Sequence, residues 1–229
     1  MCGFILSQKE IPRVDEVNRL VQFRGPDLVS SKRTEGFTFV HSLLSITGLL
    51  TPQPFEKDGI TCVYNGEIYN HATFGTFESD GQCLIPAYLE HGTAFASKLD
   101  GEFAFALVDP HKKICVLSSD TFKTKPLFYS ISEQGIAAAS YSDPLRQLGY
   151  PDIQKMPPNT TLVIDLVTGQ ILNQHAVTTF DIDHQHKLHF EDWIAAFERS
   201  IAKRTAGIRE KLFIGLSSGY DSGAIACAL

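Results

Sequence analysis

A series of short apolar segments in the middle of the chain constrains its fold more than any other feature. The segments are rich in β-branched and aromatic residues, as strands are, and they cover residues 102–109, 113–120, 126–132, 135–141, 160–166 and 170–177. They are joined by tight turns at Asp109-Pro110-His111-Lys112, Glu133-Gln134 and Thr168-Gly169. Strands with such short connections pair in antiparallel fashion, so antiparallel sheet is predicted.

One of these strands indicates how the sheets are arranged. Phe103-Ala104-Phe105-Ala106-Leu107-Val108 is apolar on both faces, so it has to be covered on both sides. Two antiparallel sheets that face each other, with helices outside, provide that cover. A plain β-sandwich would leave the helices unexplained. The residues therefore predict an α+β fold of packed antiparallel sheets with outer helices.

Helical periodicity occurs at two places outside this series. The first apolar stripe, which Gly25-Pro26 should end, consists of Val14, Val17, Leu20 and Val21. The second follows Ser79-Asp80, which can cap a helix, and should end at Gly92; it consists of Leu84, Ile85, Tyr88 and Leu89. Pro86 lies inside the second stripe and predicts a kink there.

The chain begins Met1-Cys2, and its second residue is a candidate nucleophile. Once Met1 is removed, Cys2 carries both a thiol and a free α-amine, and the amine can take the thiol proton directly or through one water. Gly3–Ser7 is predicted to be a short buried strand, which would hold Cys2 in a fixed position. The alternative is that Cys2 is an ordinary small apolar residue.

A second candidate stretch follows predicted strands at residues 37–46 and 60–64. Tyr64-Asn65-Gly66-Glu67-Ile68-Tyr69-Asn70 contains an Asn-Gly pair, which predicts a sharp bend at the strand end. Such a bend would leave a backbone N–H and a side-chain amide pointing the same way. Arg24-Gly25-Pro26-Asp27 is predicted to form a rigid turn.

Composition limits the partners and the compartment. The formal charge of −6 gives no basic surface, so neither nucleic acid nor a membrane is expected as a partner. The five cysteines are odd in number and lack CxxC or Cys/His metal spacing, which is typical of reduced thiols and predicts no metal site. No apolar run has spanning length and the N-terminus lacks a secretory signal, so a cytoplasmic protein is expected.

The composition changes near residues 181–187, a polar stretch that we interpret as a solvated linker rather than a histidine metal site. The predicted domains are residues 1–183 and 184–229. Beyond the linker, a strand is predicted at residues 212–216, after an amphipathic helix marked by Phe190, Trp193, Ile194, Phe197 and Ile201. The small-residue loop Ser217-Ser218-Gly219-Tyr220-Asp221-Ser222 follows, and its backbone N–H groups could bind an anion.

Six stretches together resemble the class II, N-terminal nucleophile, glutamine amidotransferase domain that begins glutamine-dependent asparagine synthetases. In chain order they are Met1-Cys2-Gly3, Arg24-Gly25-Pro26-Asp27, Tyr64-Asn65-Gly66-Glu67-Ile68-Tyr69-Asn70, Ser79-Asp80, Leu99-Asp100-Gly101-Glu102-Phe103-Ala104-Phe105-Ala106 and Ser217-Ser218-Gly219-Tyr220-Asp221-Ser222. The resemblance spans almost the whole chain. It implies a four-layer αββα sandwich that releases ammonia from glutamine, followed by the start of an α/β ATP-pyrophosphatase domain.

The resemblance also implies catalytic roles. Cys2 would attack the glutamine amide carbon and form a γ-glutamyl thioester. The Asn65 side-chain amide and the Gly66 N–H would stabilise the oxyanion. No cofactor is expected for this step, whereas ATP and Mg²⁺ are expected only for a complete synthetase domain.

Substrate-binding roles follow in the same way. Asp80 would receive the α-ammonium group of glutamine, with the Glu67 backbone nearby, and Arg24 would support the nucleophile. Helix capping is an alternative role for Asp80. The residues implied to bind nucleotide in the second domain are Ser217, Ser218, Gly219, Asp221 and Ser222.

The sequence departs from the family pattern at two positions. In His41-Ser42-Leu43-Leu44-Ser45-Ile46, Leu43 stands where the resemblance implies an arginine for the α-carboxylate of glutamine, and Lys57 is the only Lys or Arg between Gly36 and Gly59. In the last stretch, Ser218 replaces a glycine, and its side chain would crowd a pyrophosphate.

These departures leave three interpretations open. The first is a glutaminase that feeds ammonia to an ATP-dependent amide-forming domain, in cis or in trans. The second is a catalytically impaired structural or regulatory module, and the third is an N-terminal-cysteine acylase that acts on another amide. Because the sequence ends at Leu229, soon after Ser222, we expect that this chain alone is not a synthetase. A homodimer is an option that the sequence leaves open.

Overall fold

The computed structural model describes residues 2–184, 186–208 and 211–229. The chain divides into two compact units, which are described separately below. The first unit contains residues 2–45 and 49–179, and the second contains residues 46–48 and 180–229. None of the helices in the described part of the chain is long and apolar enough to cross a lipid bilayer.

The first unit is built on two six-stranded sheets, in which every pair of neighbouring strands is antiparallel. The strands in chain order are β1 Gly3–Ser7, β2 Leu28–Thr34, β3 Phe37–Leu43, β4 Phe55–Lys57, β5 Ile60–Ile68, β6 Gly101–Asp109, β7 Ile114–Ser119, β8 Phe128–Ser132, β9 Gly135–Ala139, β10 Gln154–Lys155, β11 Thr160–Asp165 and β12 Ile171–Ala176. The first sheet has the order β10-β8-β9-β1-β3-β2, and the second has the order β12-β11-β7-β6-β5-β4.

Helices cover the outer faces of both sheets. They are α1 Val14–Asn18, α2 Leu84–His91 and α3 Ser142–Gln147, with 3-10 helices at Gln22–Arg24, His71–Thr73, Asp80–Cys83 and Gly92–Lys98. Val17 of α1 and Leu145 of α3 pack with Ile5 on the first sheet. Leu84 of α2 packs with Phe105 on the second sheet.

A third apolar layer fills the space between the sheets. Phe4 and Phe39 of the first sheet lie in one cluster with Ala104 and Ala106 of the second. The alternation in β6 places phenylalanines outside and alanines inside, so both faces of this strand are buried as predicted. Each large apolar side chain buried in this way contributes about 1.5–3 kcal/mol. The predicted αββα sandwich of antiparallel sheets is therefore confirmed.

Three strands have no counterpart in the sequence prediction: β2, β4 and β10. β2, with the sequence Leu-Val-Ser-Ser-Lys-Arg-Thr, is an edge strand that is at least partly exposed along its length, so it carries no apolar signal. β4 and β10 have only three and two residues. Edge strands of this kind form because a neighbouring strand offers hydrogen bonds, and local sequence does not reveal that neighbour.

Two helix predictions need correction. The first helix ends at Asn18 rather than at Gly25-Pro26, and a turn and the Gln22–Arg24 3-10 helix replace its last part. The kink predicted at Pro86 is also wrong in its form. The helix changes from 3-10 to α at Leu84, so Pro86 falls in the first turn of α2, where proline is tolerated.

The second unit contains α4 Glu191–Thr205 and α5 Tyr220–Ala228, which contact each other. The helix predicted after the linker is α4. Gln185, within the predicted linker, lies outside the described residues. The strand predicted at residues 212–216 does not form in the described part of the chain, and the side chain of Phe213 is 96% exposed. An apolar run forms a strand only where another strand pairs with it.

Candidate active site

Cys2 directly precedes β1, near the centre of the first sheet. β1 pairs with β3 and β9, and its Phe4 and Leu6 side chains lie between the two sheets. Because side chains alternate along a strand, Cys2 points to the same side as Phe4. The Cys2 Sγ accepts a hydrogen bond from the Leu44 N–H at 3.4 Å. Met1, whose removal the catalytic interpretation assumes, lies outside the described residues.

The surroundings of Cys2 keep its thiol protonated. Burial raises the pKa of the thiol, the Leu44 backbone hydrogen bond lowers it, and the charges of Asp80 and Arg24 raise and lower it respectively. The net result is a raised pKa. A protonated thiol is a poor nucleophile, so chemistry at Cys2 requires a base close to the sulfur.

The strand β5 presents an open edge near this thiol. Residues 63–68 of β5 pair only with β6 in the described part of the chain. On the open edge, which faces away from β6, the Tyr64 N–H donates to Gln53 Oε1 at 2.8 Å and the Ile68 N–H donates to Asp80 Oδ2 at 2.7 Å. N–H groups alternate between the two edges of a strand, so the Gly66 N–H points to this open edge, between the other two.

The Asn-Gly pair is part of this strand and does not bend. Asn65 lies opposite Ala104, and Gly66 lies opposite Phe103, so the predicted bend is wrong. Glycine is needed here for a different reason. A Cβ at Gly66 would lie 2.1 Å from the Glu102 carbonyl O and 2.8 Å from the Phe103 Cα, closer than atoms can approach.

Asn65 is fully buried, and its side-chain amide has no hydrogen-bond partner in the described part of the chain. Its neighbour two residues back, Val63, packs between the sheets, so the Asn65 side chain points to that layer too. Neither Nδ2 nor Oδ1 finds a hydrogen-bond partner among the described residues. A buried group left in this state costs about 1–3 kcal/mol, which indicates that something other than folding keeps it there.

Asp80 is held against the open edge of β5. Besides the Ile68 N–H, its carboxylate accepts the Tyr64 O–H and, at 3.3 Å, the Ser79 hydroxyl. Burial, followed by the charge of Asp80, raises the pKa of Tyr64 well above its usual value. Ser79 and Gln82 form the capping box of the 3-10 helix, so capping does not depend on the Asp80 side chain. The sequence analysis assigned no role in the site to Tyr64. Only its position directly before Asn65 could have suggested one.

Arg24 fixes the backbone of the nucleophile. Its Nε donates to the Cys2 carbonyl O at 2.7 Å, and its Nη1 donates to the Tyr141 hydroxyl at 2.9 Å. The guanidinium also lies over the Tyr141 ring, 5.2 Å from its centroid. Tyr141 follows β9, which pairs with β1, so Arg24 ties together two neighbouring parts of the first sheet.

A second charged group lies on the inner face of β5 and β6. Glu67 stands opposite Glu102, and the Lys125 Nζ lies 3.1 Å from the Glu102 carboxylate. This ion pair is largely buried, with the lysine side chain 12% exposed. Leu43, at the position where the family resemblance implies an arginine, is buried, and Lys57 lies exposed on β4.

A buried histidine on β3 is a further residue that the sequence analysis missed. His41 is fully buried, and neither ring nitrogen has a hydrogen-bond partner among the described residues. Burial lowers the pKa of His41 to about 4, against the opposing effect of the Tyr64 backbone. A lone histidine in an apolar strand carries no sequence signal that would have singled it out.

The buried His41 predicts a pH-dependent stability. The unfolded chain binds a proton on this ring below about pH 6.5, whereas the folded chain resists it down to about pH 4. The free energy of unfolding should therefore fall by about 3 kcal/mol as the pH drops through this window, and be fully recovered above it. Urea unfolding between pH 7 and pH 4 measures this, and His41→Leu should remove that part of the slope. An unchanged slope in the variant would contradict the assignment.

The residues of the implied nucleotide loop lie in the second unit. Ser217 Oγ and Ser222 Oγ are 3.0 Å apart, and the Gly219 N–H donates to Ser217 Oγ at 3.1 Å. Ser218 and Asp221 are exposed. The described residues 211–216 directly before this loop form no strand, and one loop donor, the Gly219 N–H, is bonded within the loop. Nucleotide binding by this loop stays a prediction.

Comparison with known proteins adds sequence relatives. A family model described as "Glutamine amidotransferase domain" matches residues 1–180. Asparagine synthetase (glutamine-hydrolyzing) 1 of Saccharomyces cerevisiae is 28% identical over 253 residues, covering 99% of this chain and 43% of that protein. Asparagine synthetase B (glutamine-hydrolyzing) of Escherichia coli is 33% identical over 132 residues, covering 52% of this chain and 24% of that protein. The chain thus spans less than half the length of these relatives.

Solved structures show the same fold. The glutamine phosphoribosylpyrophosphate amidotransferase from B. subtilis superposes with a TM-score of 0.60 at 15% identity, covering 79% of this chain and 50% of that one. A structure described as the allosteric regulatory enzyme of purine biosynthesis has a TM-score of 0.52 at 14% identity, covering 99% and 57%. With a family model that covers most of its length, this chain belongs to the glutamine amidotransferase domain family, and its relatives are of the class II, asparagine synthetase type.

Proposed function

We propose that the first unit hydrolyses glutamine to glutamate and ammonia through a thioester on Cys2. The observation that carries this proposal is the position of a nucleophile at the start of β1, beside the open edge of β5. β1 contacts β5, and the charge of Asp80 at that edge acts on the Cys2 thiol. The Gly66 N–H on this edge and the Asn65 amide, which has no partner within the described residues, supply the two donors that an oxyanion needs.

The chemistry balances with protein groups and water alone. The amine of Cys2, free once Met1 is removed, takes the thiol proton while sulfur attacks the amide carbon. The carbonyl oxygen becomes an oxyanion between Asn65 and Gly66. The C–N bond then breaks as the amine returns the proton to the leaving nitrogen, and ammonia departs. Water attacks the thioester, the S–C bond breaks, sulfur regains a proton and glutamate is released.

The same proposal assigns the binding residues. The Asp80 carboxylate, already oriented by Tyr64 and the Ile68 N–H, attracts the α-ammonium group of glutamine, with the Glu67 backbone nearby. Arg24 holds the backbone of Cys2 in register. A preoriented carboxylate binds an ammonium group without a further loss of side-chain entropy.

The test is ammonia release by protein whose N-terminus has been checked by mass spectrometry. Protein that begins at Cys2 should produce glutamate and ammonia in equal amounts, and acid quenching should trap a glutamyl adduct on the N-terminal peptide. Protein that retains Met1 should be inactive, because the base is then missing. Absence of ammonia from correctly processed protein would overturn the proposal.

The ammonia is proposed to serve a synthetase domain, in cis or in trans. The names of the relatives from Saccharomyces cerevisiae and Escherichia coli join glutamine hydrolysis to asparagine synthesis, and we infer the same division of labour for this chain. ATP and Mg²⁺ would act only in a complete synthetase domain, where they would supply the activation of the acceptor. No step of the glutaminase reaction passes through them.

Leu43 favours a second candidate, in which the substrate is an amide other than free glutamine or the module is catalytically impaired. Leu43→Arg would add a guanidinium on the inner face of β3, where an α-carboxylate could pair with it. We expect KM for glutamine to fall about 10- to 100-fold with little change in kcat. Steady-state assays measure this, and Leu43→Met is the uncharged control of similar length. Unchanged KM in Leu43→Arg would show that no carboxylate reaches this position.

A further inference from the structure

The aromatic ring of Tyr64 lies between two glycines that belong to different parts of the proposed site. Tyr64 is 3% exposed. A Cβ on Gly66 would lie 2.9 Å from the Tyr64 Cε2, and a Cβ on Gly81 would lie 2.5 Å from its Cε1, so the ring packs directly against the backbone at both positions. Gly66 supplies an oxyanion donor, and Gly81 directly follows Asp80. The ring therefore separates the strand β5 from the 3-10 helix that carries Asp80.

The hydroxyl of the same ring fixes the Asp80 carboxylate. The Tyr64 O–H and the Ile68 N–H both donate to Asp80 Oδ2, the latter at 2.7 Å. Among the described residues, the other oxygen, Oδ1, accepts only the Ser79 hydroxyl, at 3.3 Å. Hydrogen bonds to an ionised group are stronger than bonds between neutral groups, so the two donors define where Oδ2 lies. Oδ1 keeps capacity for a further donor, such as an ammonium group.

The open edge of β5 sets a distance between the two halves of the site. The Gly66 N–H and the Ile68 N–H lie on this edge two residues apart, which corresponds to about 7 Å along a strand. The first would bond the oxyanion, and the second bonds the carboxylate that would receive the α-ammonium group. A substrate that reaches both must have a matching separation between its ammonium group and its amide carbonyl. Glutamine and asparagine carry the same groups, but their separations differ by one methylene.

We propose that Tyr64 is a positioning residue that makes the site selective for the length of the amide side chain, because it holds Asp80 at one spacing from the Gly66 donor. The inference rests on the proposed function and deepens it. The γ-amide of glutamine spans this spacing, whereas the β-amide of asparagine is one methylene too short. Asparagine held at Asp80 would place its carbonyl carbon about 1 Å from the reactive position, and a misplacement of this size can cost about 10²-fold in rate.

Packing alone explains an aromatic ring at this position but not its hydroxyl. Phenylalanine would fill the same space, and a buried hydroxyl is costly unless it finds a partner. A second tyrosine in the same apolar cluster provides the matched comparison. Tyr88 is fully buried, and its O–H donates to Asp109 Oδ2 at 2.6 Å, at the end of β6 away from Gly101. Tyr88→Phe therefore removes the same kind of hydrogen bond without touching the site.

The experiment measures binding by isothermal titration calorimetry in Cys2→Ala protein, which cannot turn the amide over. Adding Tyr64→Phe should raise Kd for L-glutamine about 10-fold and change Kd for L-asparagine less than about threefold, so the selectivity falls. The third probe is 4-carbamoylbutanoate, which is glutamine without its α-ammonium group. Its Kd should change less than about twofold, because Asp80 does not hold it. Tyr88→Phe should leave all three values unchanged.

These probes distinguish positioning from general damage. Equal weakening of all three compounds in Tyr64→Phe would show a structural role only and would overturn the inference, as would an unchanged Kd for L-glutamine. A double-mutant cycle adds a second measurement. In Asp80→Asn protein, Tyr64→Phe should change Kd for L-glutamine less than about twofold, because the hydroxyl acts through the lost carboxylate. A further 10-fold loss would show that Tyr64 acts independently of Asp80, against the inference.

The inference and the proposed function can fail separately, because the titrations require no turnover. If the wild-type protein releases no ammonia while L-glutamine binds with the expected dependence on Tyr64, only the proposed function fails. If the wild-type protein hydrolyses glutamine while Tyr64→Phe leaves the selectivity unchanged, only the inference fails. Absence of L-glutamine binding to Cys2→Ala protein would also overturn the inference.

Discussion

Replacement of Cys2 by alanine is expected to lower kcat for glutamine hydrolysis by at least about 10⁴-fold. The sulfur is the only atom at the start of β1 that can form the covalent intermediate, and the α-amine that remains in the variant has nothing to activate. The fold should be unaffected, because alanine replaces a small, buried side chain whose contact is a weak hydrogen bond with Leu44. Ammonia release and the thermal melting temperature together measure the two effects.

Cys227→Ala is the matched control, because Cys227 is an exposed thiol in the second unit. Its activity should equal that of the wild type. If Cys2→Ala kept appreciable activity, a different nucleophile would be at work and the thioester would have to be abandoned. If both variants lost activity equally, thiol loss in general, rather than the position of Cys2, would explain the result.

Asn65→Leu is expected to have the second largest effect, a fall in kcat of about 10²- to 10³-fold with KM nearly unchanged. Leucine keeps the branched shape of asparagine, with two larger methyl groups in place of the amide oxygen and nitrogen, and it donates no hydrogen bond, so stabilisation of the oxyanion is lost. Because both polar atoms of Asn65 lack partners in the described part of the molecule, the melting temperature should stay level or rise. Steady-state kinetics measure the fall in kcat, and thermal unfolding measures the level or higher melting temperature.

The control for this variant is Asn173→Ala, on the exposed strand β12, which should leave both quantities unchanged. A large fall in the melting temperature of Asn65→Leu would show that the amide has a structural partner. Unchanged kcat would remove Asn65 from the proposed mechanism and leave Gly66 as the sole donor.

The sandwich was predictable because one strand carries the information by itself. The apolar residues on both faces of β6 require cover on both sides, whatever the rest of the chain does. The exposed edge strand β2 could not be found in this way, because its residues are largely polar and its existence depends on β3. The strand expected at residues 212–216 shows the reverse case. Its residues are apolar, but it does not form in the described part of the chain, because apolar residues alone do not supply a pairing partner.

Candidate site residues could be chosen from the sequence, whereas their geometry could not. Local rules assign Asn65-Gly66 to a turn, whereas the closeness of the Glu102 carbonyl is what demands glycine at this position. That contact joins residues distant in sequence, and no local pattern encodes it. The contacts of Tyr64 and the burial of His41 depend in the same way on residues distant in sequence.

The open edge of β5 has a consequence for behaviour in solution. An unpaired strand edge is a template on which another chain can add a strand, and proteins usually block such edges. Here two side chains, Gln53 and Asp80, accept from the N–H groups on either side of Gly66, and the Gly66 N–H between them has no partner among the residues that the structure describes. The contacts of Gln53 and Asp80 therefore also limit aggregation. Loss of either contact would leave more N–H groups on this edge available to pair with a strand of another chain.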